Sequence, residues 1–149
     1  MTRWALNCGY VPLVDSAPLI IAQALGFAQE EGVALTLRRQ PSWAALRDLL
    51  ALGHLDAAHM LAPMPIAMSL GLSGKPIATD ALMMLSTNGT VTGVTPQIAD
   101  QMRAAGWQGG FLDPKGARAA LRSVAQARVE PLRVGVPFPY SMHLLLFAY

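Results

Sequence analysis

The chain has 149 residues, of which 53% are hydrophobic and 13% are charged, and its formal net charge at pH 7 is +2. This balance excludes an intrinsically disordered chain, and the small, scattered positive charge argues against direct nucleic-acid binding. The single cysteine, Cys8, excludes an internal disulfide, and its place in an apolar run predicts a small buried thiol.

The first part of the chain alternates predicted strands and helices. Residues 4–10 form an apolar run of strand length, and Ser16 with Pro18 opens a helix that we expect to continue to Gly32. Residues 33–38 alternate apolar and polar side chains, which predicts a second strand. Such alternation is typical of an α/β fold with a largely parallel sheet and flanking helices.

Three further elements are predicted in the stretch PSWAALRDLLALGHLDAAHMLAPMP. Ser42 is a predicted N-cap, because its hydroxyl can accept a hydrogen bond from a free amide of the first helical turn. Gly53 ends this helix, and a short buried strand at residues 55–59 precedes a helix at residues 63–70. Trp43 therefore lies at the positive end of a helix dipole, where a flat side chain suits a small anion. Packing of Trp43 in the core is an equally open alternative.

A polar, turn-prone break at residues 86–90 divides the chain. We predict a first α/β lobe at residues 1–87 and the opening part of a second α/β lobe at residues 88–149. Around and after the break we predict an extended run at 76–85, a strand at 91–94, a helix from Thr95, a helix at 115–128, a strand at 132–136 and a helix from Ser141.

The two ends of the chain carry further expectations. The first residues lack the basic and hydrophobic regions of a signal peptide, which predicts a cytoplasmic protein, or a periplasmic one if a leader has been removed. The last helix ends in apolar residues without a C-cap, so we expect the chain to be a truncated part of a longer protein. The apolar segment at residues 57–72 is shorter than the roughly 20 residues that span a bilayer, so no membrane span is predicted.

Motifs of catalysis and metal binding are missing from the sequence. The segment GLSGKP lacks the first glycine and the final Ser or Thr of a phosphate-binding loop, and no GxGxxG, HExxH, CxxC or GxSxG occurs. His54, His59 and His143 do not have the spacing of metal ligands. We therefore predict no catalytic residue, no metal and no cofactor, and a supporting or core position for His59.

Ligands of open α/β sheets collect where strands end and helices begin. Two predicted helix starts, at Ser42 and Ser141, carry a side chain that can touch a ligand there. These are the ring face of Trp43 and the imidazole of His143, for which helix-face packing is the alternative. The break adds possible amide and hydroxyl donors at Asn88, Gly89 and Thr90.

The motifs GYVPLVDSAPLIIAQALGF, PSWAALRDLLALGHLDAAHMLAPMPIAMSLGL and RVGVPFPYSMH resemble the nitrate- and bicarbonate-binding protein family of ABC transport systems. The stretch DALMMLSTNGTVTGV resembles that family's cytoplasmic members, which sense nitrate for assimilation, whereas residues 99–127 match poorly. The resemblance implies a type II periplasmic-binding-protein fold with the ligand clamped between two lobes, the second of them incomplete in this chain.

The same resemblance implies a function and a site. Trp43 and His143 correspond to anion-contacting residues of the family, and Thr90 stands where nitrate-binding members are expected to have glutamine. The implied function is a cytoplasmic sensor of nitrate or nitrite that regulates nitrate assimilation through an RNA-binding antiterminator partner. The alternative is the substrate-binding component of a nitrate, bicarbonate or sulfonate-like ABC transporter. A third possibility, an enzyme of cofactor biosynthesis on the same fold, would require a histidine-rich site.

Overall fold

The computed structural model describes residues 4–72, 74–87, 90–110 and 112–148. It divides the chain into two compact units, Met1–Thr90 with Val136–Tyr149, and Val91–Gly135. The lobes predicted at residues 1–87 and 88–149 stay a prediction. In the structure, residues 136–148 belong with the first unit.

The strands and helices predicted before residue 76 appear in the predicted order with differences in length, and the three helices predicted after residue 90 are also present. In chain order the regular elements are β1 (Trp4–Tyr10), a 3₁₀ turn (Val14–Ser16), α1 (Ala17–Ala24), α2 (Phe27–Glu30), β2 (Val33–Arg39), α3 (Trp43–Ala51), β3 (Ala57–Ala58), α4 (Pro63–Ser69), α5 (Pro96–Ala104), α6 (Pro114–Gln126) and α7 (Met142–Ala148).

The first unit is built on a parallel sheet with the strand order β2-β1-β3. Strand β1 pairs with β2 from Trp4 opposite Val33 onward, and Cys8 lies opposite Ala57 of β3. All three strands run in the same direction, and helices connect them. The predicted α/β architecture with a parallel sheet is therefore confirmed.

The predicted long helix between Ser16 and Gly32 is interrupted. Gly26 has a φ of 80°, a left-handed conformation that ends α1 before α2 begins. Ser16 occupies the N-cap position of α1, but its hydroxyl donates to the carbonyl oxygen of Leu13 at 2.7 Å and does not cap the helix.

The strands predicted at residues 91–94 and 132–136 are wrong, and the run at 76–85 is not part of the sheet. A short apolar run becomes a strand only when a neighbouring strand can complete its hydrogen bonds. Residues of the 76–85 run bond to α4 instead. The amide of Ile77 donates to the carbonyl oxygen of Met68 at 3.0 Å, and the Thr79 hydroxyl donates to that of Pro65 at 3.1 Å.

The core of the first unit lies between the sheet and helices α3 and α4. Its buried members are Trp43, Leu46, Leu55, Met64 and Phe138, and we call this set the tryptophan cluster. Glycine at position 9 allows the close approach of α3 to β1. A Cβ atom there would lie 2.5 Å from the nearest Cδ1 atoms of Leu46 and Leu55. The cluster joins α3, α4 and the segment before β3 to the segment before α7.

The second unit contains α5 and α6, each begun by a side-chain cap. Thr95 accepts from the amide of Ile98 at 3.4 Å, and Asp113 accepts from the amide of Gly116 at 2.8 Å. The buried residues that join the two helices are Met102, Ala120 and Val124. Throughout the part of the chain that the structure describes, every helix is too short or too polar to cross a membrane.

Leu46 offers a direct test of the tryptophan cluster, because its side chain is fully buried. We expect Leu46→Ala to lower the free energy of unfolding by about 2–5 kcal/mol, through lost apolar contacts and the cavity left behind. Urea denaturation followed by circular dichroism measures this change. Leu52→Ala, at a leucine that is 71% exposed, is the matched control and should change stability by less than about 0.5 kcal/mol. Equal effects of the two substitutions would contradict this description of the core.

Candidate functional site

The carboxyl ends of the three parallel strands meet at one edge of the sheet, which we call the carboxyl edge. The 3₁₀ turn and α1 follow β1, α3 follows β2, and α4 follows β3. Helix N-termini carry free amides and a partial positive charge. The first unit therefore places the starts of helices after each strand end, the arrangement that binds ligands in open α/β sheets.

Ser42 caps the helix that follows β2. Its backbone is extended, with φ −158° and ψ 161°, and its hydroxyl oxygen accepts from the amide of Ala45 at 3.1 Å. The predicted N-cap is therefore confirmed. Trp43 follows as the first residue of α3, and its position is set by this cap.

Trp43 is buried in the tryptophan cluster with 5% of its surface exposed. Its ring centroid lies 5.2 Å from that of His59, with 60° between the ring planes, a T-shaped contact. Both of the roles considered for Trp43 concern the same ring. Its core packing is observed in the structure, and its contact with a ligand stays a prediction.

His59 follows β3 and is almost completely buried, with 3% of its surface exposed. Its Nε2 atom lies 3.1 Å from Oδ2 of Asp15, and its amide donates to the carbonyl oxygen of Gly9 at 2.9 Å. The core position predicted for His59 is confirmed. The residues predicted from the sequence do not include Asp15. The signal that could have found it is its position after the first strand, which corresponds to the position of His59 after the third strand.

Cys8 lies on β1 next to the glycine that binds the amide of His59. Burial raises the pKa of its thiol above the ordinary value of 9.0, and a hydrogen bond from the His59 backbone opposes part of this rise. The predicted buried thiol is confirmed. Because a thiolate is the reactive form, this cysteine is protected from chemistry at neutral pH.

The second predicted helix start, at Ser141, is also observed. Ser141 is fully buried, its amide donates to the carbonyl oxygen of Phe138 at 3.1 Å, and its hydroxyl accepts from the amide of Leu144 at 3.4 Å. Phe138 packs in the tryptophan cluster, and the Arg47 guanidinium lies 5.7 Å from the centroid of its ring. The Ser141 helix start is thereby tied to the core that contains Trp43.

The remaining predicted site residues are His143, Asn88, Gly89 and Thr90. His143 is half-buried in the first turn of α7, and the aromatic neighbour that the structure gives Trp43 is His59. Thr90 is exposed, whereas Asn88 and Gly89 lie outside the described residues. The structure brings Trp43 into the same unit as Ser141 and His143, and the roles of all these residues in binding stay predictions.

Two further features bear on ligand chemistry. Within the described ranges, no group of three or more His, Cys, Asp and Glu side chains is arranged to hold a metal ion. An open groove of about 310 Å³ lies beside α3, and its lining residues are Arg47, Asp48, Ala51, Leu52, Met68, Lys75 and Ile77.

The chain is similar to one protein family and to several known proteins. Residues 3–149 match the NMT1-like family. The bicarbonate transport ATP-binding protein CmpC of Synechococcus elongatus is 36% identical over 146 residues, which cover 97% of this chain and 20% of CmpC. The nitrate/nitrite binding protein NrtA of a Nostoc species is 33% identical over 147 residues, which cover 95% of this chain and 31% of NrtA.

A solved structure is also similar. The crystal structure of the periplasmic nitrate-binding protein NrtA from Synechocystis PCC 6803 is 38% identical in sequence, with a TM-score of 0.47, over 50% of this chain and 21% of that one. The chain thus spans less than a third of the length of each of these proteins. The resemblance to nitrate- and bicarbonate-binding proteins is confirmed, while the cytoplasmic subfamily and the truncation stay predictions.

The buried thiol gives a test of the packing beneath the carboxyl edge. Since only the thiolate reacts, the raised pKa and the burial of Cys8 should slow its alkylation by iodoacetamide at pH 8 at least tenfold relative to the urea-unfolded chain. The raised pKa also makes the free energy of unfolding depend on pH, because the folded chain holds the thiol proton more tightly than the unfolded chain does. This contribution to stability is fully present below the pKa of the unfolded thiol, and it is lost as the pH rises through the pKa of the folded thiol. Equal alkylation rates for folded and unfolded protein, measured by mass spectrometry, would contradict the placement of Cys8.

Proposed function

Since this chain belongs to the NMT1-like family, we propose that it binds a small oxyanion, namely nitrate, nitrite or bicarbonate, as the substrate-binding part of an ABC transport system. The single observation that carries the proposal is the carboxyl edge, where helix starts follow three parallel strands. Two of the relatives, a bicarbonate transport ATP-binding protein and a nitrate/nitrite binding protein, supply the class of anion. Binding without catalysis suits the absence of catalytic motifs in the sequence.

The chemistry of these anions suits the proposed site. Nitrate and bicarbonate are flat ions with a single negative charge and three oxygen atoms, and they can stack on an aromatic ring while accepting hydrogen bonds at their edges. The start of α3 supplies free amides and a dipole that favours an anion by about 0.3–1 kcal/mol. In the proposed site Trp43 provides the ring and His143 donates a hydrogen bond. Further contacts come from the helix start at Ser141 and from Asn88, Gly89 and Thr90.

A second candidate function uses the same site for regulation. The stretch DALMMLSTNGTVTGV, which resembles sensor-type members of the family, favours a cytoplasmic nitrate sensor that regulates nitrate assimilation. In this proposal the anion stabilises one conformation and thereby changes the affinity for an antiterminator regulator. The two functions differ in place, since a transport component works in the periplasm and the sensor in the cytoplasm. Fractionation of cells that express the natural gene separates them.

The binding proposal is tested by isothermal titration calorimetry of the chain with sodium nitrate, sodium nitrite and sodium bicarbonate, with sodium chloride as the reference salt. We expect at least one of the three oxyanions to bind in preference to chloride. Absence of binding up to millimolar concentration by the folded chain would contradict the proposed function.

The role of Trp43 is tested by two substitutions at that position. We expect Trp43→Ala to weaken anion binding at least tenfold, which corresponds to about 1.4 kcal/mol. Because the ring also packs in the core, Trp43→Leu is measured as well, since it keeps apolar volume and removes only the aromatic face. Trp4→Ala, at a tryptophan that is 70% exposed, is the matched control and should bind like the wild type. Full affinity in a folded Trp43→Leu variant would remove this ring from the site.

A further inference from the structure

Asp15 and His59 join two separate loops of the carboxyl edge. Asp15 lies in the 3₁₀ turn after β1, and His59 directly follows β3. Oδ2 of Asp15 lies 3.1 Å from Nε2 of His59, so the carboxylate and the imidazole are in direct contact. The His59 amide is also held, by the carbonyl oxygen of Gly9. His59 is therefore held both at its backbone amide and at its imidazole ring.

The restrained imidazole lies against Trp43. The T-shaped geometry, with centroids 5.2 Å apart, is a favourable arrangement for two aromatic rings. His59 is 3% exposed, so it cannot turn away into solvent without opening the core. Direct contacts therefore connect the Asp15 carboxylate to the His59 ring and the His59 ring to the Trp43 ring. These contacts join the three chain segments that follow β1, β3 and β2.

Stability alone does not account for this pair. Oδ1 of Asp15 and Nδ1 of His59 are both buried and have no hydrogen-bond partner among the described residues. Each such atom carries a desolvation cost of about 1–3 kcal/mol. Burial of ionisable partners often offsets the gain from their attraction. A negative carboxylate is also unfavourable near a site that binds anions, so its position calls for another explanation.

We propose that Asp15 and His59 are positioning residues that fix the ring of Trp43 in the orientation that receives the anion. This inference rests on the proposed function for its consequence in binding, and on the observed contacts for the restraint itself. It predicts whether loss of the Asp15 carboxylate strengthens or weakens anion binding. Loss of the Asp15 carboxylate would strengthen anion binding if charge alone mattered, whereas loss of a positioning residue weakens it.

Two substitutions at Asp15 separate charge from position. Asp15→Ala and Asp15→Asn remove the same negative charge, but the asparagine keeps an oxygen that can accept from Nε2–H. The positioning role predicts that alanine disturbs Trp43 strongly and that asparagine rescues most of the effect. A purely electrostatic role predicts that the two variants behave alike. Asp80→Ala, at an exposed carboxylate, is the matched control for loss of one negative charge.

The first measurement needs no anion. In a Trp4→Phe, Trp107→Phe background, Trp43 is the only tryptophan of the chain, and its fluorescence and near-ultraviolet circular dichroism report on the ring directly. We expect Asp15→Ala to raise the acrylamide quenching constant at least twofold and to reduce the near-ultraviolet signal, with Asp15→Asn close to wild type. Identical spectra and quenching for wild type and a folded Asp15→Ala variant would overturn the inference.

The second measurement is anion affinity by calorimetry, with thermal melting as the check on folding. We expect Asp15→Ala to weaken binding at least fivefold, Asp15→Asn less than twofold, and Asp80→Ala not at all. Stronger binding by Asp15→Ala, or equal affinities for its alanine and asparagine variants, would overturn the inference. If the wild type binds none of the oxyanions, the proposed function fails, and the spectroscopic comparison still decides whether the pair positions Trp43.

Discussion

The parallel pairing of β1 with both of its neighbours is the constraint on which the rest of the first unit depends. Parallel neighbours cannot be joined by a tight turn, so the chain must cross back over the sheet after each strand. Each crossing leaves the sheet at the same edge and begins there with a helical turn. Asp15, Trp43 and His59 are far apart in the sequence and meet because each lies just after one of these strands. The candidate site is therefore a consequence of strand direction.

The core and the candidate site share side chains. Trp43 packs in the tryptophan cluster with Phe138, which lies in the segment that leads to Ser141 and His143. The segment that contributes Phe138 to this cluster thus also carries two of the residues proposed to contact the anion. Under the proposed function, binding of an anion beside the ring would be coupled to the position of α7 through this shared cluster. Such coupling is how a binding protein converts occupancy into a change of shape.

The sequence predicted most of the first unit, because its signals there are local. The cap at Ser42 and the alternating strand at 33–38 are encoded within a few residues. The break of the long helix at Gly26 was missed, since an isolated glycine in an apolar pattern does not reveal its positive φ. The strands at 91–94 and 132–136 were wrong because strand formation depends on a partner that no local pattern specifies. The pairing of Asp15 with His59 was missed for a related reason, since it joins residues 44 positions apart whose proximity follows only from the strand order.

Under the proposed function, the carboxyl edge of the parallel sheet receives a small anion. The most direct test is a nuclear magnetic resonance titration of the ¹⁵N-labelled chain with nitrate and bicarbonate, with chloride as the reference. We expect saturable shifts of the backbone amides at 43–45, at 59–61 and at 141–144, with those of α5 and α6 unchanged. Shifts confined to α5 and α6, or shifts identical to those caused by chloride, would contradict that proposal.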